Sequence, residues 1–257
     1  MDMATVMIDA GHGGYDNGAV FEGRAEKNDT LNLALAVGNI LENSGVDVLY
    51  TRTTDIYQSP NEKANIANRS DASYFISLHR NSSENPDTYS GVQTLVYEDA
   101  GIPALFAQNI NAALEKTGFA NLGTSVRPNL AVLRGTNMPA ALVEVGFINT
   151  EQDNQLFDLK FPEIAQAIAD GILQTIQGAN LEATEMENYS VETGTFMHYR
   201  NAELLAKNMQ EDSIDSFIEP VNRCYRVCHG KFTDKKKAQK AAQKLFERGY
   251  EARVIVR

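Results

Sequence analysis

Across residues 5–177, short apolar runs alternate with stretches patterned as helices, and this alternation narrows the possible folds more than any other feature. Runs at 5–9, 46–51, 74–79, 91–97, 130–134 and 140–146 read as strands, and 28–43, 61–70, 101–117 and 162–177 read as helices. "NDTLNLALAVGNILENSG" carries both helix signals, with Asn28 or Asp29 as the cap and Gly45 as the stop. In "FPEIAQAIADGILQTIQG", Pro162 suits a first turn and Gly178 an end. The expected architecture is α/β, a sheet with helices on both faces.

At residue 178 the composition changes. "GANLEATEMEN" (178–188) is acidic, has few apolar residues, and reads as a linker. Beyond it "YSVETGTF" (189–196) recurs as "YRVCHGKF" (225–232), an offset of 36 that persists as Ala202 with Ala238, Ala206 with Ala242, Met209 with Leu245 and Ile218 with Val254. Each copy reads strand, helix, strand. One copy is too small to bury a core, so residues 189–257 are expected to fold as one small α+β (βαβ-βαβ) module. Tyr189, Phe196, Tyr225 and Phe232 are expected to face its core, and His198 and His229 its surface.

The net charge of −11 is unevenly spread. Residues 223–257 hold eleven basic and three acidic side chains, a local +8, leaving −19 on the other 222 residues. So acidic a body argues against nucleic acid as partner. The basic end, with Lys235, Lys236, Lys237, Lys240 and Lys244, reads first as a solvated helix face. No apolar run has transmembrane length and no basic leader precedes the first strand. The expectation is a chain made in the cytoplasm without a signal peptide, with no membrane partner, reaching its site of action after release or as a mature fragment. Cys224 and Cys228, four apart in a strand, would lie ~13 Å apart, beyond the ~7 Å that a disulfide spans. They are expected to be structural thiols.

The chemistry begins with "MIDAGHGGYDNGAV", which frees His12 between glycines at a strand end, where α/β proteins keep ligand groups. "FISLHRN" places His79 at another strand end, and "GRAEKNDT" places Glu26 in the loop before the first long helix. Two histidines and one carboxylate make a zinc triad that leaves a fourth position for water. "PAALVEVGF" puts Glu144 inside an apolar strand, a costly place unless the carboxylate is paired, by Arg52 or Arg134, or has a function. A desolvated carboxylate with a raised pKa suits a general base.

"IDAGHGGYDNGA", "AEKNDTLNLALA", "TRTTD", "FISLHRN" and "MPAALVEVGFINTEQD" occur in order across residues 5–177 and resemble the motifs of the zinc-dependent N-acetylmuramoyl-L-alanine amidases of the amidase_3 family. The 189–257 repeat resembles a SPOR domain, and the pairing resembles sporulation-associated and phage-type cell-wall lysins. The resemblance implies a mostly parallel sheet flanked by helices, Zn²⁺ held by His12, Glu26 and His79, and Glu144 as catalytic residue. It implies a catalytic domain at 1–177, a linker at 178–188 and a peptidoglycan-binding module at 189–257. Peptidoglycan is the implied partner, cut between N-acetylmuramic acid and L-alanine. A non-catalytic wall adaptor and a zinc peptidase cutting within the stem peptide stay open as alternatives. Arg80 and Ser82, flanking the histidine–asparagine core, depart from the family pattern and would bear on how the stem peptide is read. The first repeat, with two basic and six acidic residues over 189–222, lacks the second's basic character.

Overall fold

Strand β1 (Thr5–Ala10) is buried at every residue after Thr5, as a central parallel strand must be. A two-strand ribbon, β2 (Val20–Phe21) and β3 (Arg24–Ala25), leads into helix α1 (Glu26–Asn43). The chain continues through β4 (Asp47–Tyr50), α2 (Pro60–Asn68), β5 (Tyr74–Asn81), β6 (Val92–Val96), α3 (Gly101–Glu115), β7 (Asn121–Val126), α4 (Ala131–Gly135), β8 (Ala140–Phe147), α5 (Glu151–Leu159) and α6 (Phe161–Glu185). Six strands form one sheet in the order β4-β1-β5-β8-β6-β7. The first four are mutually parallel, and β6 pairs antiparallel to β8, so the sheet is mostly parallel as expected. The computed structural model describes residues 4–185 and 189–257, the side chains of 180–185 excepted. They fall into two compact units, Met1–Ala179 and Asn180–Arg257. Among the described residues no helix is long and apolar enough to cross a membrane.

The two faces of the sheet are covered unequally. Val6, Ile8, Ile76, Leu78, Val143 and Val145 pack with α1, α3 and α6 in the larger core. Met7, Phe75, Leu95 and Leu142 form a smaller cluster with Ala67 of α2 and Val132 and Leu133 of α4, and Ile66, Leu130 and Met138 pack against it half-buried. Those helices have nine and five residues, so the carboxyl ends of the parallel strands are left partly open on this face.

Several sequence expectations change. Residues 130–134 were expected as a strand, but 131–135 form one helical turn, α4. A five-residue apolar run suits either state, and packing of Val132 and Leu133 beside Ala67 favours the helix here. Helix α1 starts at Glu26 rather than at Asn28 or Asp29, because the backbone carbonyls of Ala19 and Asn17 accept from the N–H groups of Glu26 and Lys27. Glu26 is thus the first residue of the helix, not part of the preceding loop. Gly45, with φ of +82°, follows the helix end as expected and donates to Glu42 O at 3.0 Å. Gly178 does not end α6. The stretch expected as a linker at 178–188 is helical to Glu185, and its residues 186–188 lie outside the described residues.

A buried ion pair lies under the carboxyl end of β1. Asp9 and Lys63 are almost wholly buried, with Lys63 Nζ 2.6 Å from Asp9 Oδ1. Thr51 and Ser77 each donate to the same carboxylate at 2.6 Å, and Lys63 Nζ also bonds Ala10 O. Burial pushes the Asp9 pKa up, but Lys63 and the two hydroxyls outweigh it and hold it below the ordinary value. Its contribution to stability is therefore present at neutral pH and lost as pH falls through that depressed value. Lys63→Met is expected to cost about 3–5 kcal/mol by leaving the carboxylate buried and unpaired. The Asp9 pKa in that variant should lie above the unfolded value, so its stability should rise on acidification through the raised pKa. Urea unfolding followed by circular dichroism between pH 5 and 7.5 checks this, since a variant as stable as the wild type would refute it.

In the second unit β9 (Tyr189–Phe196), α7 (Tyr199–Glu211), β10 (Phe217–Val221), β11 (Cys224–Phe232), α8 (Lys235–Glu247) and β12 (Arg253–Val256) give strand–helix–strand twice. Its antiparallel sheet runs β10-β11-β9-β12. The repeat coincides with the core: Val191 and Val227, Ala202 and Ala238, and Met209 and Leu245 are all buried, all but Ala238 in one cluster, and Phe196, Tyr225 and Phe232 pack against it. His198 is exposed and His229 half-buried. Cys224 and Cys228 are free thiols, both in β11.

Candidate active site

The loop after β1 fixes His12. Gly13 and Asp16 exchange backbone hydrogen bonds (3.0 and 3.1 Å) around a tight turn, and His12 adopts a left-handed φ of +59°. Arg52, itself buried, donates to the carbonyls of Ala10, Gly11 and Lys27, and Thr30 Oγ1 donates to Gly11 O at 2.8 Å. The loop is thus held from below by one guanidinium.

His12, Glu26 and His79 come together from three elements, each offering a ligand atom within 4.8 Å of the others. His12 Nε2 is 3.1 Å from Glu26 Oε2, and His79 Nδ1 is 2.9 Å from Glu26 Oε1. The Glu26 carboxylate also accepts from the backbone N–H of Ala19 (2.9 Å) and Arg80 (3.0 Å). Burial pushes Glu26 up, but the hydrogen bonds and charges of His12 and His79 hold it well below the carboxylate range. Burial pulls His12 down, yet Glu26 and then Asp16 outweigh it and raise it to about 9. The packing leaves no room for extra atoms. A Cβ on Gly11 would lie 2.5 Å from the His79 ring, and one on Gly18 would lie 2.6 Å from both Glu26 Oε2 and His12 Cδ2.

Glu144 stands beside His79 because β5 and β8 pair in register at those two residues, and parallel partners project to the same face. On its other side Gln93 of β6 is its antiparallel partner. Glu144 Oε2 is buried with no hydrogen-bond partner among the described residues. Burial raises the Glu144 pKa to about 7. Neither arginine offered as the alternative, neutralising partner takes that role, since Arg52 binds backbone carbonyls and Arg134 is exposed on α4.

One residue of the cluster was missed in the sequence. Asp16 Oδ2 lies 2.9 Å from His12 Nδ1, and Gly18 N donates to Asp16 Oδ1 at 3.0 Å. A carboxylate four residues after a histidine in a glycine-rich turn was the available signal. It fixes the ring orientation and leaves Nε2 facing Glu26. Arg80, by contrast, does not reach the cleft. Alternation turns it to the opposite face, where it bonds Asp29 (2.7 Å) and Asn154 (2.9 Å) over the Phe157 ring. Fully buried, it cannot touch a stem peptide. Ser82 is exposed.

The donor set of two imidazoles and one carboxylate, the glycine cradle and the unpartnered Glu144 oxygen together fit a divalent metal with a reacting group beside it. Residues 6–174 match the family Amidase_3, N-acetylmuramoyl-L-alanine amidase. The chain is 37% identical over 222 residues to the sporulation-specific N-acetylmuramoyl-L-alanine amidase of Bacillus subtilis, covering 84% of each chain. It is 32% identical over 178 residues to an endolysin of Bacillus phage SPP1, covering 66% of this chain and 65% of the endolysin. The crystal structure of an N-acetylmuramoyl-L-alanine amidase from Clostridium difficile 630 superposes with a TM-score of 0.65 at 32% identity, over 69% of this chain and 98% of that one. Extent of match, fold and converging side chains agree, and the chain belongs to the Amidase_3 family of N-acetylmuramoyl-L-alanine amidases.

Proposed function

We propose that the chain is a zinc-dependent amidase that hydrolyses the bond between the lactyl group of N-acetylmuramic acid and the L-alanine of the peptidoglycan stem peptide. The observation that carries this reading is the convergence of His12, Glu26 and His79 next to a buried, unpartnered Glu144 oxygen. Those three residues would hold the zinc, with Asp16 orienting His12. When bound, the metal supplies Lewis-acid polarisation of the lactyl carbonyl and a water of lowered pKa. Glu144 Oε2, with no competing donor, accepts the water's proton and then delivers it to the departing alanine nitrogen, without which amine expulsion is slow. The printed names of the relatives support the substrate class. Mass spectrometry of digested wall fragments tests the reading. New N-terminal L-alanine with intact lactyl-muramic acid supports it, whereas cleavage within the peptide refutes it.

Residues 189–257 we read as a SPOR-type module that holds the enzyme on peptidoglycan, following a catalytic unit at 1–177. Its two-fold strand–helix–strand core and its lack of a three-residue metal cluster among the described residues support a binding role. A tether raises local substrate concentration without changing the bond-breaking step. A chain ending at residue 185, where α6 ends, is expected to keep its turnover on small soluble muropeptides yet lyse intact walls more slowly. Equal lysis by the two forms would remove the tether.

A further inference from the structure

We infer that α8 and the groove beside it form a binding site for a linear phosphodiester polymer of the cell wall, separate from the amidase cleft. The inference rests on the wall-acting reading above. A cavity of about 550 Å³ runs along this helix. Lys237, Lys240, Lys244 and Arg248 form one wall, spaced three, four and four residues apart and therefore stacked on one helical face. Phe232, Ala241 and Leu245 contribute its apolar lining. Across from the lysines stand Asp215, the sole acidic side chain lining it, and His229, whose Nδ1–H donates to Asp215 O at 2.6 Å. All four cations are exposed. Among the described residues no lysine of the row forms an ion pair, and the Arg248 guanidinium donates to the Asp212 carbonyl at 2.5 Å with no carboxylate partner.

Two features set this row apart from an ordinary solvated face. The first is its electrostatic cost. Like charges at these spacings repel along a helix, and Lys235, Lys236 and Lys237 sit at the helix N-terminus, where the macrodipole is already positive. The Asp234 carboxylate caps this end, accepting from the backbone N–H groups of Lys236 (2.7 Å) and Lys237 (3.2 Å), but one carboxylate faces three lysines there and lies a turn or more from Lys240, Lys244 and Arg248. The second is an internal control. The repeat offset of 36 maps Lys237, Lys240, Lys244 and Arg248 onto Asn201, Leu204, Asn208 and Asp212 in and after α7. Both helices bury matching residues, Ala202 with Ala238 and Met209 with Leu245. The fold therefore does not need the cations, and the second copy alone carries them. Local rules broken without structural gain mark a functional surface.

The spacing selects the ligand class. At ~1.5 Å rise per residue, the charges recur about every 4.5–6 Å along a straight wall. A linear chain bearing one permanent negative charge per repeat matches that better than branched stem peptides, whose carboxylates hang from alternate sugars. Compact, strongly hydrated ammonium groups act as point charges and suit phosphate oxygens.

The test uses the full chain and two wall preparations, one with its phosphodiester polymers and one stripped of them with glycan and peptide left in place. Wild-type protein is expected to bind the intact preparation on the order of tenfold more tightly at low salt, with the preference shrinking as salt rises. A Lys237→Gln, Lys240→Gln, Lys244→Gln, Arg248→Gln variant should bind both preparations alike, and soluble poly(glycerol phosphate) should compete for the wild type only. Its turnover on soluble muropeptides should be unchanged, because every side chain assigned to the amidase chemistry belongs to the first unit and the row to the second. Loss of wild-type turnover on those muropeptides would indict the amidase reading instead. Equal wild-type binding to both walls overturns the proposal, as does a variant that keeps the preference. Salt-dependent self-association of the wild type that the variant lacks, with no effect of stripping, would assign the row to a second copy of the chain and also overturn it.

Discussion

Glu144→Gln is expected to lower turnover by at least ~10²-fold while leaving zinc content unchanged, because the amide keeps the shape of the side chain and cannot accept a proton. The strand register supports this, since Glu144 is paired beside His79 and its Oε2 has no other partner to serve. Stability should move the other way. Burial raises the Glu144 pKa to about 7, so the folded chain binds a proton that the unfolded chain releases near 4.5. In the chelated wild type, stability is present at low pH and lost as pH rises through the raised value. Glutamine removes that loss, so the variant should gain stability relative to wild type at pH 7.5 and gain little at pH 4.5. Denaturant midpoints at the two pH values read this directly. Near-normal turnover would make Glu144 structural and send the proton elsewhere.

His79→Ala should abolish stoichiometric zinc binding, since two remaining protein ligands hold the ion poorly. Atomic absorption after dialysis measures it, and a full equivalent of zinc in that variant would refute the site. Asp16→Ala is a graded companion. It leaves all three donors in place but frees the His12 ring, and it should weaken zinc binding by about 10–100-fold. In the wild type, chelator should stop wall lysis and added Zn²⁺ should restore it. If Asp16→Ala bound zinc as tightly as the wild type, the carboxylate would orient nothing.

Much of this was legible in the sequence, for identifiable reasons. Strand runs such as Val6-Met7-Ile8 are apolar because both faces of a parallel strand are buried, and that composition survives in one dimension. A carboxylate amid the apolar residues of β8 stands out because burial is costly. In the second unit the 36-residue offset marks the buried positions, since both copies must fill the same core. Tertiary structure alone decided other matters. Residues 130–134 suit two conformations, and packing on α2 chose the helix. Strand β7 is an edge strand with a glycine and no fully buried residue, and α5 buries only Asp153 and Phe157, so neither carries a strong periodic signal. Asp16 and Arg52 act through hydrogen bonds to partners that no local pattern specifies. Arg80 and His79 are neighbours in sequence yet serve opposite faces of the sheet, one bound to Asp29 over Phe157 and the other turned to Glu26. Composition records what each strand must bury. The meeting of His79 with Glu144 depends on register between strands more than sixty residues apart, which the chain acquires only when the sheet forms.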